Sequence, residues 1–511
     1  MICRRVVLIA SVVAGLAALP HAAKAATDLY THLTLINPEK ETRTANSYIL
    51  VDNGHIAAVG VGKPRMSLPA DRIHDMSGQY AMPGFIDAHA HITLGPEIVE
   101  VHDGVPAVSF KSSDAVSERY GKVALAYGVT TVRNPGGETA ANARYNKMTA
   151  SSAWPGPEQL AAGAIIEPPP FVAPYFAYPR TESEWQAEAA HQAALGMKYF
   201  KLYQDLTEDE VATGIRVAHQ HGLKAIGHLN KVSWTRAAEL GIDSVEHALP
   251  TSPDVLEPPQ RAKYLAELGP DSKFMYQWFE LADYNGPKIQ QMVHLIVEKK
   301  VTVCMTLVVN EIVYNTDNLE RVLPEEFRRH EDPATLASDL TGLKLSATGW
   351  TPEDYVRAKA VMPKVLQFAR MFYDAGAAMM IGTDGHGGST FYARELELHV
   401  QAGIPVWAVL RMATSKAADI LAIGDQTGRI APGYQADVVF LDGDPVADIS
   451  QAGKVHAVLT KGRFFLSSKL LEEPSAAIGR GIRSSAVFAN EHRCEAPTSC
   501  HRDAVRVQPL S

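Results

Sequence analysis

Eight short apolar runs, most of them separated by amphipathic helical stretches, restrict this chain more than any other feature. They lie at 84–91, 128–133, 159–166, 197–203, 223–229, 244–249, 301–309 and 379–384. Helical periodicity is readable between them, for example over 182–195, 208–221 and 352–375. Strands buried on both faces and joined by helical crossovers make a parallel α/β sheet, and eight of them suit a (β/α)8 barrel. A doubly wound open sheet is the alternative. It would usually show a glycine-rich phosphate loop after the first strand, where this chain has His89-Ala-His91. The barrel is therefore the expectation.

The texture differs at both ends. Leu33–Ile36, Ser47–Val51 and His55–Val59 alternate like strands, with Asp52-Asn53-Gly54 as a hairpin turn. The pattern returns in Ala436–Leu441, Val455–Leu459 and Arg463–Leu466, with turns at Asp442-Gly443 and Lys461-Gly462. These segments predict one small β-domain assembled from residues 26–82 and 428–470, flanking a barrel over 83–427.

Before the first of them, Arg4-Arg5, an apolar run from Val6 to Leu19 and Ala23-Lys24-Ala25 read as a signal peptide. Residues 1–25 are expected to be removed on export, which places the protein in the periplasm or outside the cell. The arginine pair with Lys24 is a partial twin-arginine pattern. The run is short for a bilayer span of about 20 residues, and no other stretch is apolar enough for one, so no stable membrane insertion is expected. Residues 471–511 read as a loosely held tail. Lys+Arg 48 against Asp+Glu 57 gives a net charge of −9, which argues against nucleic acid as a partner. Of four cysteines, Cys3 leaves with the signal and Cys304 reads as a small buried hydrophobe. Cys494 and Cys500 could close a disulfide in an oxidising compartment, the alternative being a Cys/His metal knot with His492 and His501.

A barrel's active site lies beyond the carboxyl ends of its strands, and polar side chains gather there. Side chains at i and i+2 of a strand share a face, so His89 and His91 form half of a chelate. Such pairs are often incidental, and the reading depends on further ligands. Lys201, His228, His247 and Asp384 close strands four, five, six and eight. Glu246 alternates to the opposite face from His247 and is assigned a structural role. The segments 249–301 and 310–379 are long and carry aromatics such as Tyr276, Trp278, Phe279 and Trp350. They suit a pocket or lid, or extra helices packed outside the barrel.

These residues carry a resemblance to the metal-dependent amidohydrolase superfamily. It spans roughly residues 29–468. It rests on Pro83-Gly-Phe-Ile-Asp-Ala-His-Ala-His91, Gly128-Val-Thr-Thr-Val-Arg133, Lys201-Leu-Tyr203, Gly227-His228, Asp243-Ser-Val-Glu-His247, Gly382-Thr-Asp384 and Ala436-Asp-Val-Val-Phe-Leu-Asp-Gly-Asp-Pro445. The chain looks most similar to the group of Xaa-Pro dipeptidases, ochratoxin-type amidases and imidazolonepropionase-related proteins. The resemblance implies a distorted (β/α)8 barrel beside a small β-sandwich. It implies that His89, His91 and Asp384 hold one divalent metal, zinc first, and that His228 and His247 hold a second. Lys201 then corresponds to a carboxylated lysine bridging the two. Leu229-Asn230 departs from the dipeptidase pattern after His228, which leaves proline-dipeptide specificity open.

The chemistry agrees with that assignment. A lysine ammonium repels cations, and lysine is rarely buried without a partner. Burial and neighbouring metals favour its neutral amine, which takes up CO2 to become an anionic carbamate. The alternative is a lysine paired with an acid beside a single metal. Water activated by such metals near neutral pH attacks a carbonyl carbon, with Asp384 as the residue that takes its proton and returns it to the leaving group. His386 and Tyr203 are offered as substrate contacts. Arg133 offers either a partner for a substrate carboxylate or a salt bridge at the barrel rim. The expected activity is hydrolysis of an amide bond in a small molecule such as a dipeptide or an N-acyl amino acid. A mononuclear hydrolase of cyclic amides or lactones is the alternative, and a non-catalytic binding protein of this fold is a further one. Homo-oligomerisation is left open.

Overall fold

The structure, a computed structural model, describes residues 27–472 apart from 103–104, 111, 170–173, 270, 324, 326–327 and 329–332. The expected signal segment and the Cys494–Cys500 pair lie outside the described residues.

The eight central strands are Phe85–Asp87, Val129–Asn134, Glu158–Ala161, Tyr199–Leu202, Lys224–Gly227, Ser244–Glu246, Thr302–Cys304 and Ala378–Met380. Each runs parallel to its neighbour, with an isolated bridge between Ala162 and Tyr199 joining the third to the fourth. The first and last meet where the Ala88 N–H donates to the Ile381 carbonyl at 2.8 Å. That closes the ring and leaves no free sheet edge.

Helices cover the outside, and local chemistry sets where several begin. Glu182–Ala194, Glu208–Gln220 and Pro352–Asp374 each start at a threonine whose hydroxyl accepts from the third helical N–H. The acidic residue at that third position accepts from the threonine's own N–H, a reciprocal cap. Three further helices, Pro258–Glu267, Phe274–Leu281 and Pro287–Glu298, occupy the long connection before the seventh strand. Tyr276, Trp278 and Phe279 are fully buried there, and Trp278, Phe279 and Tyr284 pack on Phe368 of the helix Pro352–Asp374. Those aromatics are thus the core of an outer helical layer.

Two features depart from the sequence pattern. The run 301–309 stops being a strand at Cys304, turns at Thr306 (φ 42) and continues as the helix Leu307–Val313. The Leu307 and Val308 N–H groups donate to the buried Glu395 carboxylate at 2.9 and 2.7 Å. A distant acid therefore starts this helix, and no periodicity shows that. A hairpin of Glu97–His102 and Val105–Phe110 also follows His91 and brings Phe110 over the barrel mouth. The sequence Asp103-Gly104 between two apolar runs was its signal.

Both chain ends supply a second, eight-stranded sheet. Its order is Arg463–Leu466, Val455–Thr460, Val438–Leu441, Tyr80–Pro83, Asp28–Asn37, Thr42–Asp52 and His55–Val61, with Ile73–Asp75 also pairing Asp28–Asn37. The hairpin loops 53–54 and 461–462 have positive φ at both residues (54° and 80°, 50° and 75°), as two-residue turns of the right twist demand. Val438–Leu441 is buried on both faces. Val438 and Phe440 fill the sheet's own core, while Val439 and Leu441 join the barrel core. Among the described residues, no helix is long and apolar enough to cross a membrane.

Candidate metal centre

The first barrel strand ends at Asp87, a buried carboxylate that fixes the loop after it. Asp87 accepts from the His89 and Thr383 N–H groups, both at 3.1 Å, and from the Thr383 hydroxyl at 2.8 Å. It thereby ties the loop that carries His89 to the loop that carries Asp384. Gly382 completes this junction. A Cβ there would meet Cys304 Sγ at 2.4 Å and His89 Cβ at 2.8 Å, so only glycine admits the approach.

His89 and His91 present their Nε2 atoms to the same oxygen, Asp384 Oδ1, at 3.2 and 3.3 Å. Their Nδ1 atoms are taken. His89 Nδ1 lies 2.7 Å from Glu246 Oε2, and His91 Nδ1 lies 2.8 Å from the Gly136 carbonyl. An imidazole that donates from Nδ1 keeps its Nε2 lone pair for a cation. The ligand atoms of His89, His91 and Asp384 lie within 4.8 Å of one another.

His247 and His228 stand beside this group. Their ring centroids are 4.3 Å apart, and the His247 ring lies 4.6 Å from that of His89. His247 Nδ1 meets the Thr306 hydroxyl at 2.9 Å. His228 Nε2 is buried with no hydrogen-bond partner, an orphan that a native interior rarely leaves without cause. Lys201, 2% exposed, makes neither a hydrogen bond nor an ion pair among the described residues. Burial lowers its amine to about 8, against the pull of Glu246 and Asp384.

Burial also lowers His228 to about 3, helped by Lys201, and holds His247 well below the usual histidine range. Burial opposes ionisation of Asp384, but His247, His89 and His91 around it hold its carboxyl well below the ordinary range. Neutral His228 and His247 and an ionised Asp384 are the protonation states that a cation site requires, and the lowered Lys201 amine moves toward its neutral form. The donor set fits divalent cations.

Asp384 is also the most open member, with 24% of its side chain exposed against 1%, 8% and 4% for His89, His91 and His247. It faces the barrel mouth. Both Asp384 (φ 53) and His247 (φ 67) adopt the left-handed backbone region, uncommon for residues other than glycine.

That backbone turn corrects one reading. Glu246 does not point away from the centre: the kink at His247 breaks strand alternation, so both side chains reach it. Glu246 is fully buried under His89, where it also accepts from Ser244 Oγ at 2.6 Å and from Arg133. Of the two uses offered for Arg133, the structure shows the salt bridge, made with Glu246 in the interior and not at the rim. It is 1% exposed and donates to Glu246, to Ser244 and to the Ala88 carbonyl. Burial opposes ionisation of Glu246, and the Arg133 charge with the His89 bond outweighs it. The other two proposed substrate contacts are at the mouth. Tyr203 sets its ring 5.0 Å from that of His228. His386 packs between His91 and Phe110, at 5.1 and 4.6 Å between ring centroids. Thr306 and Gly136 were not singled out from sequence, because their parts depend on contacts across the barrel.

A family model for the amidohydrolase family matches residues 80–465. A solved Xaa-Pro dipeptidase with methionine in its active site shares the fold at a TM-score of 0.61 and 20% identity. The match covers 86% of this chain and 100% of that one. The ochratoxinase of A. niger matches at a TM-score of 0.58 and 18% identity, over 87% of this chain and 96% of that one. An imidazolonepropionase of Streptococcus gordonii is 44% identical over 59 residues, which is 11% of this chain and only 14% of that protein's length. With a model matched over most of its length and the ligand set assembled at the strand ends, the chain belongs to the amidohydrolase family.

Proposed function

We propose that the protein is an exported hydrolase of an amide bond in a small molecule such as a dipeptide or an N-acyl amino acid. Its site is built for two divalent cations, zinc first, with the Lys201 amine converted to a bridging carbamate. His89, His91 and Asp384 would hold one cation, and His228 and His247 the other. The observation that carries this reading is a juxtaposition. Behind the convergence of His89, His91 and Asp384 lie a buried His228 Nε2 and a buried Lys201 amine, neither with a hydrogen-bond or ion-pair partner among the described residues.

A bound cation supplies polarisation of the scissile carbonyl and a water of lowered pKa. The remaining work falls to the chain. Asp384, the most exposed side chain of the group, takes the proton of the attacking water and returns it to the departing nitrogen. Burial raises the Tyr203 phenol above its usual value, so its O–H stays a donor beside the reacting carbonyl. Neutral Lys201 adds to CO2 with loss of a proton, which replaces a repelling ammonium by an anion.

Elemental analysis and a substrate screen test this together. The wild type should carry two ions per chain and Lys201→Ala at most one, while Asp384→Asn should lose at least about a thousandfold in kcat. Unchanged activity in Asp384→Asn would refute the mechanism. A single-cation hydrolase of cyclic amides or lactones is the second reading. It draws on the fact that His89, His91 and Asp384 by themselves bring their ligand atoms within 4.8 Å, and one ion in the wild type would favour it.

A further inference from the structure

Beside Asp384 the barrel mouth opens into a cavity of about 210 Å³. Thr383, Asp384, Gly385 and His386 form one end of it. The walls are Phe110, Val309, Ile312, Val313, Leu343 and Phe391. They come from separate elements: the hairpin after His91, the helix Leu307–Val313, the helix Pro333–Leu345 and the turn before Tyr392. Among the described residues, Asp384 is the one formally charged member of the lining, which includes no lysine or arginine. Two described arginines close to the site are committed elsewhere. Arg394 is paired with Glu311 at 2.7 Å and with Glu397, and Arg133 is paired with Glu246.

From this we infer that the cavity is a subsite for an uncharged apolar group, aromatic or branched aliphatic, flanking the scissile amide. The inference rests on the proposed amide hydrolysis. A substrate carboxylate seated among these walls would find no lysine or arginine in the described lining to pair with, and its desolvation in an apolar pocket is unfavourable. An apolar group gains from every methylene it takes out of water. The size fits as well, since an apolar cavity of about 150 Å³ suffices for benzene.

The test uses two sets of small amides in which one residue runs through Gly, Ala, Val, Leu and Phe, with Asp and Lys as charged counterparts. One set varies the acyl side and the other the amine side. In one of the two, kcat/KM should rise about fourfold per added methylene, with the charged members at least about a hundredfold below Leu and Phe. Ile312→Phe, and independently Leu343→Phe at a half-buried position, should narrow the cavity and reverse the preference between Val and Phe. Rates flat in size, or higher for charged members, in both sets would overturn the inference while leaving the hydrolase reading intact. If no amide is turned over above the Asp384→Asn background, the hydrolase reading fails, and binding decides the cavity alone. Calorimetric titration of the purified protein with toluene should show uptake that weakens in Ile312→Phe. No uptake, or equal uptake in both proteins, would sink it.

Discussion

Thr306 shows how much of this centre depends on residues that hold no cation. Its left-handed backbone (φ 42) turns the hydroxyl onto His247 Nδ1 at 2.9 Å. Outer partners of metal-binding histidines are typically worth about 10–100-fold in metal affinity. Thr306→Val should weaken the cation held at His228 and His247 by that order in a chelator competition, and Thr306→Ser should restore most of it. Equal affinity in all three proteins would show the hydroxyl to be idle. The side chains that converge here were legible in the sequence because chemistry limits them: buried histidines, a lysine in an apolar strand and an aspartate, all at strand ends. Glu246 was misread for a backbone reason. Two-residue alternation holds only while φ stays extended, and His247 leaves that region at φ 67. Arg133 stood correctly at the end of its strand, but the acid that claims it lies 113 positions further along.

At the scale of elements, the helix Leu307–Val313 both walls the cavity and follows the Thr306 turn, and Glu395 secures its start. Burial pushes the Glu395 carboxyl up to about 8, despite the two N–H bonds it accepts. The side chain packed against it, His399, is lowered by burial to about 4 and stays neutral above that. Because the folded state holds the Glu395 proton more tightly than the unfolded chain, the resulting stability is complete below the ordinary glutamate range. It is lost as pH rises through about 8. Melting temperature should therefore fall between pH 5 and 8.5 more steeply in the wild type than in Glu395→Gln, which stays neutral throughout. Parallel melting curves across that window would refute the assignment. Strands and capped helices were readable because their causes are local: apolar runs, Thr-x-x-Glu or Thr-x-x-Asp starts, Pro and Gly boundaries. The split of the run 301–309 was not readable, since its cause lies nearly ninety residues away in Glu395. The aromatics of the long connections could be counted from the sequence. Which side of the barrel they served could not, until packing on Phe368 put them outside.

For the molecule as a whole, the two strand-rich ends announced a shared β-domain through their alternation and two-residue turns. Their pairing order did not show, because nothing in Val438–Leu441 records that it lies beside Tyr80–Pro83. That strand fills the sheet's core with one face and the barrel's with the other. A chain stopped after residue 427 should consequently fail to give a folded barrel and be digested rapidly by protease, whereas the full chain should unfold in one transition. A stable, protease-resistant product ending at 427 would show the barrel to be autonomous. Tyr80–Pro83 runs almost without interruption into Phe85–Asp87, so its partner strand also governs the loop that carries His89 and His91. On the ribosome those two histidines emerge long before Val438–Leu441, yet their seat is finished only when that strand has paired with Tyr80–Pro83. The part of the reaction centre that is translated first is thus among the last to be set, and a chain that lacks the later strand is expected to lack a finished centre.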